Sequence, residues 1–347
     1  MRNVSVIGHF GGQSQACDGQ SVKTRIVTQE LERTLGGENV RRIDTFRWKK
    51  RPLKLIGNCV GAVWSSKNVV FMTDQGGIKV FPWLLSCANL FGTCRIHYVV
   101  IGGWLPDYLQ TRPRLRKVLG RMAGIYVETE GMKGLLGELG LSNLVVMPNC
   151  KYLQKLLPSE LVYSHCPPYR LCTFSRVMRE KGIADAVHAV EEANKRLGTQ
   201  AFTLDTYGQV EESQTEWFEA LRETFPGFVR YKGVIPFEES VPVLKAYTAL
   251  LFPTVYNCEG MAGTLIDALA SGVPVIASDW RYNSEIIRPG RNGILHPAGD
   301  VEAMVEALLA VHRDIERWNE LKLTCLEDSA RYTPEGAVSV LLEKFDA

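Results

Sequence analysis

No stretch of this sequence reaches the roughly 18–20 uninterrupted apolar residues that a helix needs to cross a bilayer. The opening residues Met1-Arg2-Asn3-Val4-Ser5-Val6-Ile7-Gly8 run straight into a strand and a glycine, without the apolar core and small-residue cleavage site of a signal peptide. A cytoplasmic location is therefore expected. There is no C-x-x-C pair, and the nine cysteines are an odd number scattered through apolar segments such as Asn58-Cys59-Val60 and Leu171-Cys172-Thr173. Reduced thiols acting as small core residues fit that pattern, whereas a disulfide framework or a zinc site does not. The spacing G-x-G-x-x-G followed by an acid after the next strand is missing too, which argues against a dinucleotide site. No short repeat or low-complexity tract occurs.

What is present is an ordinary globular composition, 46% hydrophobic and 22% charged over 347 residues, enough for two domains each with its own core. The net charge of +2 hides an asymmetry. Residues 1–165 carry 22 Lys/Arg against 11 Asp/Glu, net +11, and residues 166–347 carry 18 against 27, net −9. The first half is expected to face something anionic. Nucleic acid is disfavoured, because no recognition module accompanies the charge.

Strand-like and helix-like segments alternate in both halves. Val4–Ile7, Val69–Met72, Ile96–Ile101 and Leu144–Met147 read as buried strands, and Ser21–Leu35 has helical apolar spacing that ends at Gly36-Gly37. After a proline-rich boundary at Leu157–Tyr169, the pattern restarts. Strands are expected at Arg170–Arg176, Phe202–Leu204, Ala249–Phe252 and Pro274–Ala277, with helices at Gly182–Arg196, Ser213–Thr224 and Thr264–Ser271. Strands this apolar suit parallel sheets covered on both faces, hence an α/β protein of two doubly wound domains with ligands at the carboxyl ends of the strands.

The most informative segment runs from Phe252 to Ala277. A buried strand ends near Pro253, a polar loop holds Glu259, and Met261-Ala262-Gly263-Thr264 opens a helix with Asp267 in its first turns. The unpaired amides and positive dipole end of such a helix suit a phosphate. Glu259 would then stand near a sugar attached to that phosphate, and Asp267 near a ribose diol. A second segment, Ser175-Arg176-Val177-Met178-Arg179-Glu180-Lys181-Gly182, puts two cations between a strand and a helix, which suits a pyrophosphate. A third, Gly8-His9-Phe10-Gly11-Gly12, leads through Asp18-Gly19-Gln20-Ser21-Val22-Lys23-Thr24 into a helix.

Glu259, seven residues, Asp267 and then Ala268-Leu269-Ala270-Ser271-Gly272-Val273-Pro274-Val275-Ile276 resembles the signature of family 4 glycosyltransferases, with Asp in place of the usual second Glu. Arg176 and Lys181-Gly182 are similar to the family's R-x-x-x-x-K-G segment, and the loop at Gly11 and Gly12 to its donor-phosphate loop. The Asp18–Thr24 run, with Val100–Leu105, resembles bacterial capsule and exopolysaccharide members. The resemblance implies the GT-B architecture: two Rossmann-like domains facing across a cleft. It divides the chain into an acceptor domain at 1–165, a nucleotide-sugar domain at 166–331, and a helix at 332–347 returning to the first.

The implied activity is retaining sugar transfer from a UDP- or GDP-sugar to a glycan or lipid-linked glycan in surface polysaccharide synthesis. Glu259, Arg176 and Lys181 would be catalytic. Gly11, Gly12, Met261, Ala262, Gly263, Thr264 and Asp267 would bind donor, and Asp18, Gly19, Gln20, Lys23 and Trp104 would lie on the acceptor side. No cofactor or metal is expected, since the chain has no Asp-x-Asp and its cations can meet the phosphate charge. Where many family members have a histidine, Gly102-Gly103-Trp104 stands instead. His97 falls earlier, inside a strand, and reads as a core residue. Two alternatives share the fold: a nucleotide-sugar epimerase, for which no acid/base pair is found, and a non-catalytic partner subunit, which the intact Glu259, Arg176 and Lys181 disfavour. The basic runs Phe46–Arg51 and Arg112–Lys117, with the apolar Val80–Leu85 between them, suit peripheral docking at the inner face of an anionic membrane.

Overall fold

The structure is a computed structural model that describes residues 2–11, 19–154 and 156–345. The chain forms two compact units. The first comprises Met1–Tyr152, Cys258–Met261 and Tyr332–Ala347; the second comprises Leu153–Asn257 and Ala262–Arg331.

The first unit is built on strands β1 (Arg2–Gly8), β2 (Val40–Asp44), β3 (Ser66–Met72), β4 (Arg95–Val99), β5 (Gly124–Val127) and β6 (Leu144–Val146). They form one parallel sheet in the order β2-β1-β3-β4-β5-β6. Central strands are buried on both faces: Val4, Val6 and Ile7 of β1 and Val69–Met72 of β3 have no exposed surface. That follows from the need of parallel strands for helical crossovers on both sides of the sheet. The edge strand β2 is instead only partly covered, burying Val40 and Ile43 and exposing Arg42 and Asp44.

The second unit carries β7 (Tyr169–Phe174), β8 (Phe202–Tyr207), β9 (Val229–Gly233), β10 (Ala249–Phe252), β11 (Val275–Asp279) and β12 (Gly293–Pro297). Its parallel order is β12-β11-β10-β7-β8-β9. The helices Ile183–Leu197 and Val301–Arg313 close a core with Leu171, Phe202, Leu204, Leu251 and Ile276. Asn194 ties helix to sheet, donating to Phe202 O at 3.0 Å and accepting Phe202 N–H at 2.8 Å. The chain builds β8 and β9 on one side of β7, then β10 to β12 on the other. The carboxyl ends of β7 and β10 therefore flank the switch point of this sheet, where open α/β sheets bind ligands. In the first unit the same reversal falls between β1 and β3.

The eight strands and the helices named from the sequence are present with shifts of a few residues, as where Ile96–Ile101 stops at Val99. Strands β2, β5, β9 and β12 are additions.

The second unit also buries a lysine. Lys322, 1% exposed in the helix Ile315–Ser329, donates to Tyr247 O at 3.2 Å and Gly272 O at 3.4 Å. Among the described residues no carboxylate pairs with it, and burial pushes its ammonium from 10.5 down to about 8. Between those values the unfolded chain binds the extra proton, so this group's penalty on the fold is full below pH 8 and is relieved as pH rises toward 10.5. Lys322→Met should be the more stable protein below pH 8. Its advantage should shrink by on the order of 3 kcal/mol on reaching pH 10.5, read from urea unfolding of both proteins across that range.

Candidate functional site

Two loops meet at the β7/β10 switch point of the second unit. One leaves β7 at Phe174 and reaches the helix that starts at Ile183; the other leaves β10 at Phe252. Their backbones are joined: Val255 N–H donates to Glu180 O at 2.8 Å, and the Thr254 hydroxyl to the same oxygen at 3.3 Å. Gly182 makes that approach possible. It has φ of 70°, and a Cβ there would stand 2.3 Å from Pro253 O. The glycine of the R-x-x-x-x-K-G pattern is thus fixed by both conformation and space.

Arg176 and Lys181 converge on one ring. The Arg176 guanidinium is 5.8 Å from the Tyr256 centroid, and Lys181 Nζ is 5.0 Å from the same centroid and 5.5 Å from that of Phe252. Both fall within cation–π range. Arg176 is exposed and pairs with Glu211 at 2.9 Å. Two cations gathered at a switch point suit a polyanion. Neither Tyr256 nor Glu211 is singled out by a local sequence pattern; the cations alone point to the place.

The eight-residue helix Gly263–Ala270 opens from Ala262 without a side-chain cap. Leu265 N–H turns back to Ala262 O at 3.1 Å, and the helix start carries the positive end of the dipole. The Thr264 hydroxyl in this turn is buried and, among the described residues, has no hydrogen-bond partner. Asp267 is 3% exposed within the helix.

Glu259 lies on the short segment Cys258–Met261, which belongs to the first unit. Its side chain is 7% exposed. The backbone on either side is held: Cys258 O accepts Gly103 N–H at 3.0 Å, Met261 N–H donates to Glu128 Oε2 at 2.9 Å, and Met261 O accepts from Asn149 Nδ2 at 2.9 Å. Glu128 and Asn149 went unread in the sequence. Glu128 follows β5, a strand of only four residues that gives little periodic signal.

The donor-loop glycines Gly11 and Gly12 and the residues expected on the acceptor side occupy varied places. Gly12 and Asp18 lie outside the described residues. Gly11 follows β1 with φ of 89°. Gly19 and Gln20 begin the helix Gly19–Leu35, with Gly19 exposed. Lys23 is 2% exposed, its ammonium 2.5 Å from Glu128 Oε1 and 3.2 Å from Val100 O. Trp104 is 5% exposed, its indole N–H bonded to Ile101 O at 2.8 Å and its ring edge-on to Tyr108. His97 is a core residue, as its place in the strand suggests. It is fully buried between the Tyr126 hydroxyl at 3.0 Å and Asn68 Oδ1 at 3.1 Å, and burial pushes its pKa down to about 4.

Residues 168–314, which hold Arg176, Lys181, Glu259 and Asp267, match the family model described as glycosyl transferases group 1. The GtfA subunit of a UDP-N-acetylglucosamine–peptide N-acetylglucosaminyltransferase from Streptococcus gordonii is 31% identical over 162 residues, 44% of this chain and 31% of that protein. The amylovoran biosynthesis glycosyltransferase AmsK of Erwinia amylovora is 28% identical over 147 residues, 41% and 35% of the two chains. The match thus spans about a third of the length of these curated relatives. Among solved structures, Anabaena Alr3699/HepE in complex with UDP superposes over 100% of both chains with a TM-score of 0.76 at 14% identity, which establishes a shared fold. The chain therefore has the GT-B fold, and its residues 168–314 are similar to the group 1 glycosyl transferases.

Proposed function

We propose that this chain is a glycosyltransferase of family 4 that moves a sugar, with retention and without a metal ion, from a UDP- or GDP-sugar to a glycan or lipid-linked glycan during surface polysaccharide synthesis. The observation that carries the reading is the convergence of Arg176 and Lys181 on Tyr256 at the β7/β10 switch point. The uncapped helix start at Gly263 and the unpartnered Thr264 hydroxyl support it. Relatives named for sugar transfer and polysaccharide synthesis support it further, as does a full-length structural neighbour that binds UDP.

In this reading Arg176, Lys181 and the helix amides stabilise the charge that grows on the departing diphosphate as the glycosidic C–O bond breaks. Glu259 holds the donor sugar. The leaving phosphate oxygen accepts the proton of the incoming hydroxyl, so His97, buried and neutral, has no part in the reaction. Asp267 receives the ribose diol. Fixed cations positioned before the reaction supply the stabilisation that a divalent ion supplies elsewhere.

The first unit is proposed to bind the acceptor and to rest on an anionic membrane. No helix among the described residues is long and apolar enough to cross a membrane. The case for a surface contact rests on exposed apolar groups beside cations. Leu53 and Trp64 on the helix Pro52–Ser65, with Leu90 and Phe91, are strongly exposed. The Trp64 indole bonds to Ala88 O at 3.0 Å, which brings Trp64 close to the turn that carries Leu90 and Phe91. Lys49, Lys50, Arg51 and Lys54 gather at the start of that helix, where Leu53 lies, and Lys50, Arg51 and Lys54 line a cavity of about 380 Å³ with Trp48 and Arg47. A second cavity of about 400 Å³ is lined by Trp83, Lys79, Arg112 and Arg114. Cations near an anionic surface contribute roughly 1 kcal/mol each, and half-exposed tryptophans favour the headgroup level.

Three outcomes are expected. Purified protein should turn over a UDP- or GDP-sugar in excess EDTA; complete loss of activity that Mg²⁺ or Mn²⁺ restores would contradict metal independence. Arg176→Ala and Lys181→Ala should each weaken UDP or GDP binding about 10- to 150-fold, the worth of one charge-assisted contact, and leave nucleoside binding nearly unchanged. Equal losses for both ligands in calorimetry would assign these residues to the fold instead. Co-sedimentation with anionic vesicles should exceed that with neutral ones at low salt, fade as the screening length falls to about 8–10 Å, and drop when Lys49, Lys50 and Arg51 are changed to Ser. Indifference to lipid charge at low salt would reject membrane docking.

A further inference from the structure

Glu128 is where separate segments of the first unit meet. It stands just past β5 and is 3% exposed. One carboxylate oxygen takes the ammonium of Lys23 at 2.5 Å, and the other takes the backbone N–H of Met261 at 2.9 Å. Lys23, from the helix Gly19–Leu35, also donates to Val100 O at 3.2 Å, just beyond β4. The segment Cys258–Met261 lies on this carboxylate with no room to spare. A Cβ on Gly260 would stand 2.3 Å from Glu128 Oε2 and 2.9 Å from Gly102 Cα. Gly103 N–H to Cys258 O closes the other end of the segment at 3.0 Å.

A buried ion pair is a poor source of stability, because the desolvation of both charges offsets their attraction. Its geometry, however, is demanding. Lys23 fixes one oxygen of the carboxylate, the other accepts a backbone amide, and that amide is two residues beyond Glu259. We infer that Glu128 is a positioning residue for Glu259: oriented by Lys23, it fixes the backbone of Cys258–Met261 and thereby the place of the Glu259 carboxylate. The inference rests on the reading of Glu259 as a group that faces the donor sugar. It assigns no chemistry to Glu128 itself, and it accounts for a lysine and a glycine that the reaction does not otherwise use.

The test combines steady-state kinetics, UDP or GDP binding, and backbone amide exchange across residues 258–261, on the full chain. In Glu128→Ala, kcat should fall about 10- to 100-fold while UDP or GDP affinity holds within about threefold, because transition-state positioning is lost and phosphate binding is not. Exchange at Met261 should rise at least about tenfold, with the strands of the sheet keeping their protection. Gly260→Ala, which pushes the segment off an intact carboxylate, should reproduce the same pattern and serves if Glu128→Ala does not fold. The neutral pair Lys23→Met with Glu128→Gln should exchange more slowly at Met261 than Lys23→Met alone. Unchanged exchange at Met261, or a loss of protection spread evenly through the first unit, would overturn the proposal. Glu259→Gln separates this inference from the reading beneath it. If that variant turns over normally, Glu259 is not catalytic, and the positioning role falls with it even where the exchange results stand.

Discussion

A parallel sheet buried on both faces leaves a chain few places to display polar groups. Helical crossovers cover its two faces, so chemistry collects on the loops at the carboxyl ends of the strands. Both units obey this constraint, and the other features of the site follow from it. In the second unit the sheet reverses its order between β7 and β10, so two consecutive crossovers diverge and leave a gap at their strand ends. The loops bearing Arg176, Lys181 and Tyr256 fill the margins of that gap. The two cations are far from Tyr256 in sequence, and adjacency of β7 and β10 is what brings them to one ring.

The central strands were legible because burial on both faces writes a continuous apolar run. Val69-Val70-Phe71-Met72 and Ala249-Leu250-Leu251-Phe252 are examples. Edge strands write a different signal. Val40-Arg41-Arg42-Ile43-Asp44 and Val229-Arg230-Tyr231-Lys232-Gly233 mix apolar residues with exposed charges and resemble loops in a linear reading. Strand β5 is simply short. The candidate site divides in the same way. Residues with a fixed spacing, such as Arg176, Lys181, Glu259 and Asp267, are visible in one dimension. Lys23 is visible only as a cation in a helix, and the partner that claims it is 105 residues away. Pairings of that range leave no local pattern, which is why Glu128 and Asn149 became apparent only in three dimensions.

The charge asymmetry has an internal logic at the level of single contacts. In the second unit many cations are already met by carboxylates: Arg196 by Glu192, Glu302 and Glu306, Arg291 by Glu327 and Asp328, and Arg317 by Glu320. In the first unit, Lys49, Lys50 and Arg51 share the turn at Trp48–Lys50 and the start of the next helix, with no acid in either. Its excess of positive charge is therefore local to particular surfaces, and it acts over no more than about a screening length in salt.

The fit of Gly182 against Pro253 has a mechanical meaning. With 2.3 Å between a notional Cβ and the Pro253 carbonyl oxygen, and with Glu180 O bonded to the neighbouring strand's loop, the two loops share one backbone seam. Neither can be displaced alone without breaking a hydrogen bond or forcing two main chains together. They behave as a single stiff part, so a disturbance entering through Lys181 is transmitted whole to Tyr256 and is not absorbed between them.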